Sequence, residues 1–463
     1  MYRALSRTWS QALLIGIVSA IGLAMAEVWQ LRLGHSRLYD GYRFQAWSSE
    51  EFMQEVHIND LLHEGPMGLW WLHVQPPLLE TSRFLLSLPE YLTGRAMTAQ
   101  MIDQRMYGLY AVLYGVLVAL VFLWITSLTK RKGWALVGAV GVALYPGTLA
   151  MATLLDGTFP SSVLATLMFF LLYLAIRERS PRMLNWWLTS LVALSLLRTI
   201  FQLQILVFVP LVVWALYHFR MQGKKVGAMV LSAALVAALF LLPAKQYMLY
   251  KTTATTSFAG NHQIEVVSYR PTQAEMNAVQ VPQDILNTAS NFVSGFNSPE
   301  NIRLNYTLSQ VGNHYYLTHP AQVVKNLIWG FQMNTAQAFK WTHEYSSVDA
   351  THMNRLVSTL PWTPPMQNGL SVAFYLGILV LTGVLFLFAF GWRGFLRRLG
   401  TYWAFLFVLG CAMITFLLAN RYDWSEADRL KFIVEPVFAV AFIASLAFAQ
   451  AAWRRRRDTE SAE

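Results

Sequence analysis

Apolar residues in this chain gather into long runs separated by short charged interruptions. Runs of roughly 18–22 apolar residues have the length that crosses about 30 Å of hydrocarbon as a helix. Ten are read, near residues 11–30, 106–128, 134–154, 158–176, 184–198, 201–218, 226–246, 369–391, 402–419 and 432–452. The fifth and sixth form one apolar run interrupted by Arg198. The short alternating segments of a closed barrel are absent. The pattern predicts an all-α polytopic membrane protein with about ten transmembrane helices.

Composition agrees with the pattern. The 463 residues are 55% hydrophobic and 13% charged, against about 25% charged in soluble domains. A net charge of +10 invites a nucleic-acid partner, but the excess sits in clusters at the ends of apolar runs. Arg3 and Arg7 precede the first run. Lys130–Lys132, Arg177–Arg182, Arg220–Lys225, Arg393–Arg398 and Arg454–Arg457 follow the second, fourth, sixth, eighth and tenth. All fall on one face if both termini are cytoplasmic, as positive residues flanking spans require. That predicts a multi-pass membrane protein with both termini cytoplasmic, with a lipid bilayer and no nucleic acid among its partners. The first run also reads as a signal peptide, with Ala-Met-Ala before Glu27. A retained helix is the simpler reading, since it anchors the next segment at both ends. Cys411, the one cysteine, reads as a packing residue.

Two long segments then face outward, 31–105 and 247–368. Stretches such as SEEFMQEVHINDLLHEG, PPLLETSRFLLSLPEYLTG and HPAQVVKNLIWGFQMNTAQAF carry helical periodicity and suit helices along a membrane surface. The expected organisation is a membrane module over 1–250 that includes loop 31–105. A helical cap follows over 251–368, then a second membrane module over 369–453 and a cytoplasmic tail over 454–463.

Residues 420–436, NRYDWSEADRLKFIVEP, carry seven charges between two apolar runs. One reading is a solvated turn whose charges pair among themselves. The other is an anionic headgroup site, with Arg421, Arg429 and Lys431 on phosphate oxygens. Glu426, three residues before Arg429, then holds the base on one helix face. Glu435 lies inside the last run, where an acid usually faces protein or a wet cavity. Asp156, in TLLDGTFPSS, is either a turn residue or a functional acid at the outer end of the third span. Asp40, in RLYDGYRF, either caps a surface loop or serves as a general base toward an acceptor hydroxyl. Glu50 and Glu51 look like first-turn helix acids. His73, in LHVQPPLLE, is a substrate contact or a satisfied structural histidine, and Pro76–Pro77 open a helix. Arg198 marks a break between spans or faces a polar cavity, near enough to the outer side to join a phosphate pocket. Lys245 and Lys251 are weaker candidates of the same kind, with snorkelling as the plainer reading. No histidine pair has zinc-ligand spacing with an acid partner.

In this order the features resemble the GT-C superfamily of integral-membrane glycosyltransferases, above all bacterial relatives of protein O-mannosyltransferases and of the lipid A aminoarabinose transferase. Asp40 matches the acid that follows the first span. VQPPLL at 74–79 matches a PPL motif later in the same loop. Asp156 matches a second acid at the outer end of the third span. Glu426, Arg429 and Pro436, in EADRLKFIVEP, match a C-terminal motif. Residues 247–368 carry no match. Where the family often has Asp-Glu, Asp40 is followed by Gly41, which leaves Asp40 and Glu50/Glu51 as alternatives for the base. The resemblance implies a GT-C-like helical fold and transfer of a sugar from a polyprenyl-phosphate donor to an envelope acceptor outside the membrane, with inversion. It implies Asp40 and Asp156 as catalytic residues and His73, Arg198, Glu426, Arg429 and Lys431 as substrate-binding ones. No organic cofactor is implied; a divalent metal bridging phosphate and acids is compatible but not called for. A transporter or flippase, or a polysaccharide polymerase or ligase, would act on the same lipid-linked substrates. Two large segments on one side argue against alternating access.

Overall fold

The computed structural model describes residues 2–32, 56–199 apart from 74 and 179, 201, 226–256, 259–266, 269–285, 298–326, 328, 404–415 and 432–460, with scattered positions between 380 and 391. Among these residues the chain is helical and contains no strand. Among the described residues five helices are long and apolar enough to cross a membrane, six if one bent pair counts as a single span. The predicted spans near 201–218 and most of 369–391 lie outside the described residues.

Helix α1, Tyr2–Arg32, covers the first predicted span. Short helices α2 (Ile58–Glu64), α3 (Pro66–Trp71), α4 (Leu78–Leu86) and α5 (Leu88–Thr93) follow. Helix α6, Ala99–Thr129, begins where the Thr98 hydroxyl accepts the Met101 N–H at 3.2 Å, an N-cap that satisfies one of the free first-turn donors. It ends at Lys130, in the left-handed region at φ 59°. The third predicted span is two helices, α7 (Lys132–Leu144) and α8 (Pro146–Thr153), bent by 59°. Pro146 lacks the N–H that would continue the helix, so the ladder breaks there. Helix α9 runs Thr158–Glu178, and α10 runs Pro181–Ser195 with Ser180 as its cap. Beyond come α11 (Val226–Tyr250), α12 (Ala259–Val266), α13 (Gln273–Asn277) and α14 (Pro299–Thr318). Helices α15 (Ala404–Thr415) and α16 (Glu435–Glu460) close the chain.

The core is the packing of α6, α7, α9, α15 and α16, with Trp124, Phe159, Phe169 and Phe405 fully enclosed. Helix α1 lies antiparallel against α6. A Cβ on Gly16 would come within 2.8 Å of the Gly115 carbonyl oxygen, and one on Gly115 would collide with that of Gly16. Only glycine permits this approach, the way helices associate in lipid, where burial gives no drive. The other face of α1 exposes Leu13, Leu14, Ile17, Val18 and Met25, as a lipid-facing surface would. Asn185 of α10 bonds Ser232 and the Ala228 carbonyl of α11, a polar link of the kind that joins helices away from water. At the end of α11, Tyr250 packs on Ile285 and Ile302, and α12 packs against α14.

The two ends of the bundle differ. At one, the Arg131 guanidinium and the Trp134 indole N–H both donate to Gln450, at 3.1 and 2.8 Å, and Arg177 donates to Ser127. The C-terminal ends of α6, α9 and α16 therefore meet there, bringing together the basic clusters at 130–132, 177–182 and 454–457. The clusters at 220–225 and 393–398 lie outside the described residues.

Candidate active site

At the opposite end the chain turns from α8 into α9 through Leu154–Gly157, and Asp156 is the hub of that turn. Its Oδ1 accepts the Thr158 N–H at 2.9 Å, which caps the first turn of α9 as a short acidic side chain does. Its Oδ2 accepts the Thr158 hydroxyl at 2.6 Å and Arg198 Nη2 at 2.7 Å. The same Nη2 also donates to Thr158 Oγ1 at 2.6 Å. The Tyr110 hydroxyl of α6 donates to the Asp156 carbonyl. The pair is buried, with side-chain exposures of 12% for Arg198 and 5% for Asp156. Asp156 is thus the turn residue of one sequence reading, and its carboxylate pairs with Arg198.

Arg198 follows α10, which ends at Ser195. The arginine does mark a break, and the break aims it at Asp156. Its guanidinium lies over Gly157, where a Cβ would sit 3.2 Å from Nε. That nitrogen is buried and has no acceptor among the described residues. One directed donor of the guanidinium is therefore left for an oxygen that the described residues do not supply.

The loop between α1 and α6 is joined to this turn. The first N–H of α4, Leu78, donates to the Leu196 carbonyl at 2.8 Å, so the Pro76–Pro77 segment abuts the Arg198 turn. The loop before it is pinned to the end of α11. Lys245 and Gln246 donate to the Leu72 carbonyl at 2.8 and 3.2 Å, and the Tyr250 hydroxyl donates to that of Trp71 at 2.6 Å. Lys245 also stands 5.8 Å from the Trp70 ring centroid, in cation–π range. His73 is 3% exposed, stacked on Tyr250 at 4.4 Å and hydrogen bonded through Nδ1 to Gln246 Oε1 at 2.8 Å. Burial, with Lys245 nearby, lowers the His73 ring to about 4 against the opposing Gln246 hydrogen bond. His73 is placed to fasten the loop.

The C-terminal module enters beside Asp156. The Phe432 ring stacks 6.4 Å from Phe159 of α9, and the Ser162 hydroxyl donates to the Phe432 carbonyl at 3.1 Å. Phe432 directly follows Lys431, and Glu435, buried at 6% exposure, opens α16. Phe432, the first described residue after the charged cluster, therefore packs on the first turns of α9, next to the Asp156–Arg198 pair. Asp40, Glu50, Glu51, Glu426, Arg429 and Lys431 themselves lie outside the described residues.

Among the described residues, two ion pairs of the α4–α6 region escaped the sequence reading. Glu80 and Arg83 of α4 are both fully buried and meet at 2.7 Å. Their i,i+3 spacing in PPLLETSR was a usable signal, but nothing local announced burial. Glu90 receives two hydrogen bonds from Arg105, at 2.7 and 2.5 Å, and these hold its carboxyl below the usual carboxylate range. That pairing spans fifteen residues and had no local signal. Among the described residues no three His, Cys, Asp or Glu side chains group as metal ligands. No protein-family model matches the chain, and no curated protein matches it.

Proposed function

We propose that the chain is a membrane glycosyltransferase of the GT-C type, moving a sugar from a polyprenyl-phosphate donor to an envelope acceptor. The observation that carries this reading is the buried Asp156–Arg198 pair, linked to the PPL segment through Leu78–Leu196, at the end of the bundle remote from the gathered basic clusters. If those clusters face the cytoplasm, the pair faces the outer side of a bacterial inner membrane, at headgroup depth. A lipid phosphate is the anion found there.

In the reaction, Asp40 (or Glu50/Glu51 in its place) takes the proton from the acceptor hydroxyl. The acceptor oxygen attacks C1 of the sugar as the bond from C1 to the phosphate oxygen breaks, and the bonding pair leaves on the phosphate. A single in-line displacement inverts the anomeric centre. Arg429 and Lys431, steadied by Glu426, meet the charge that develops on the leaving phosphate. Arg198, oriented by Asp156, offers its Nε–H to the same anion. With both carboxylate oxygens already accepting hydrogen bonds, Asp156 orients Arg198 in this scheme, and the proton goes to the loop acid. His73 serves substrate through the loop it fastens.

The test is transfer from a polyprenyl-phosphate-linked sugar by the purified chain in liposomes. Asp40→Asn and Arg429→Ala are expected to remain folded and to lose transfer. Full activity in both variants refutes the mechanism; movement of the donor across the bilayer without transfer favours a flippase.

A further inference from the structure

Lys130, Arg131 and Arg177 gather around the last turn of α6, and each keeps a free edge. Arg177 Nη1 donates to the Ser127 carbonyl and hydroxyl at 3.1 and 2.9 Å and to the Tyr173 hydroxyl at 2.9 Å. Arg131 Nη1 donates to Gln450 at 3.1 Å. In both guanidiniums Nε and Nη2 meet no acceptor among the described residues. Lys130 stands three positions after Ser127 with φ at 59°, at a helix end that favours glycine. A lysine there bears a backbone cost. Its side chain makes no hydrogen bond or ion pair among the described residues.

Like charges brought together repel unless an anion joins them. Burial, and then the Arg177 charge, lower the Lys130 ammonium, and Glu178 offsets this only in part. No described carboxylate forms an ion pair with any of the three cations. The two guanidiniums are nonetheless held, each by one nitrogen, with the forked edge that fits a phosphate left over. Cations that merely snorkel to headgroups need no such anchoring. An apolar surface adjoins the cluster. Helix α7 begins at Lys132 and exposes Leu136, Val137, Val140 and Leu144, which share one helical stripe. Trp453, three residues after Gln450, is exposed as well, as aromatic residues at a membrane interface are.

We propose that this end of the bundle holds a site for one anionic phospholipid, its phosphate taken by Lys130 and the free edges of Arg131 and Arg177, its acyl chains along α7. Basic pockets between helices at a membrane surface take anionic headgroups in this way. The site lies at the opposite end of the bundle from Asp156 and Arg198 and does not depend on the transferase reading.

The full chain in detergent is titrated with phosphatidylglycerol, and the lipid-bound fraction is read by native mass spectrometry. Losing two basic residues that touch the headgroup should weaken binding about 30-fold in Lys130→Gln/Arg177→Gln. Arg454→Gln/Arg457→Gln removes the same charge from exposed positions near the end of α16 and should weaken it less than about threefold, because screening mutes charges that make no contact. Lys130→Gln alone breaks no side-chain hydrogen bond among the described residues, so it decides the matter should the double variant misfold. About fivefold weaker binding is expected of it. Equal losses in the two double variants, or unchanged binding in Lys130→Gln, overturn the site. Equal affinity for phosphatidylcholine overturns selection of an anionic lipid. Displacement of the lipid by inorganic phosphate at matched ionic strength overturns the lipid assignment in favour of a soluble anion.

Discussion

Arg198→Leu isolates the contact on which the candidate site is built. The substitution keeps an apolar stem and removes the guanidinium whose Nη2 lies 2.7 Å from Asp156 Oδ2. Removing one partner of a buried pair costs about 3–5 kcal/mol, because the other charge stays desolvated. Asp156 keeps the Thr158 N–H and hydroxyl, and Arg198 is 12% exposed, so the lower end, about 3 kcal/mol, applies. Pairing the change with Asp156→Asn removes the stranded charge. The double variant then loses chiefly hydrogen bonds, about 1 kcal/mol net, and is about 2 kcal/mol more stable than Arg198→Leu alone. Equilibrium unfolding in mixed detergent micelles, followed by tryptophan fluorescence, measures both. A loss under about 0.5 kcal/mol for Arg198→Leu, the range of ordinary surface changes, or a double variant no better than the single, refutes the assignment of a buried, coupled pair.

His73 gives a pH signature. Its ring sits at about 4 folded against 6.5 unfolded, so between those values the unfolded chain binds the proton and the folded chain does not. Stability then rises with pH across that window, and at pH 4 about 3 kcal/mol of it is gone; His73→Gln should flatten this part of a melting profile between pH 7 and 4, and an unaltered slope contradicts the buried neutral ring. Gly115→Leu places a side chain into the Gly16 backbone and should part α1 from α6, cutting the crosslinking of a cysteine pair placed across that interface. Retained crosslinking contradicts the close approach.

The helical membrane class was legible because hydrophobic run length alone carries it: α6, α9 and α16 stand where the apolar runs are. The 134–154 run was read as one span because its mean hydropathy hides Pro146, although proline is a local and readable break. Arg198 was legible as a break because it is a charge in an apolar stretch. Its partner was not: Asp156 and Arg198 stand 42 positions apart, and no periodicity between them predicts contact. The same holds for Leu78 with Leu196 and for His73 with Gln246, since contacts closed by folding leave no local trace. Charge in PPLLETSR was visible, but only the packed structure shows what α4 covers. Asp40 and the 420–431 cluster rest on the sequence and the resemblance.

The central claim is that a lipid-phosphate-linked donor binds at the end of the bundle that holds Asp156 and Arg198. The most direct measurement is photo-crosslinking of a polyprenyl phosphate with a reactive group beside the phosphate, followed by mapping of the labelled peptides. The account predicts label in peptides containing residues 72–83, 154–162 and 420–435, competed by unlabelled polyprenyl phosphate. Competed label confined to the opposite end, around residues 127–134 and 177–182, contradicts it.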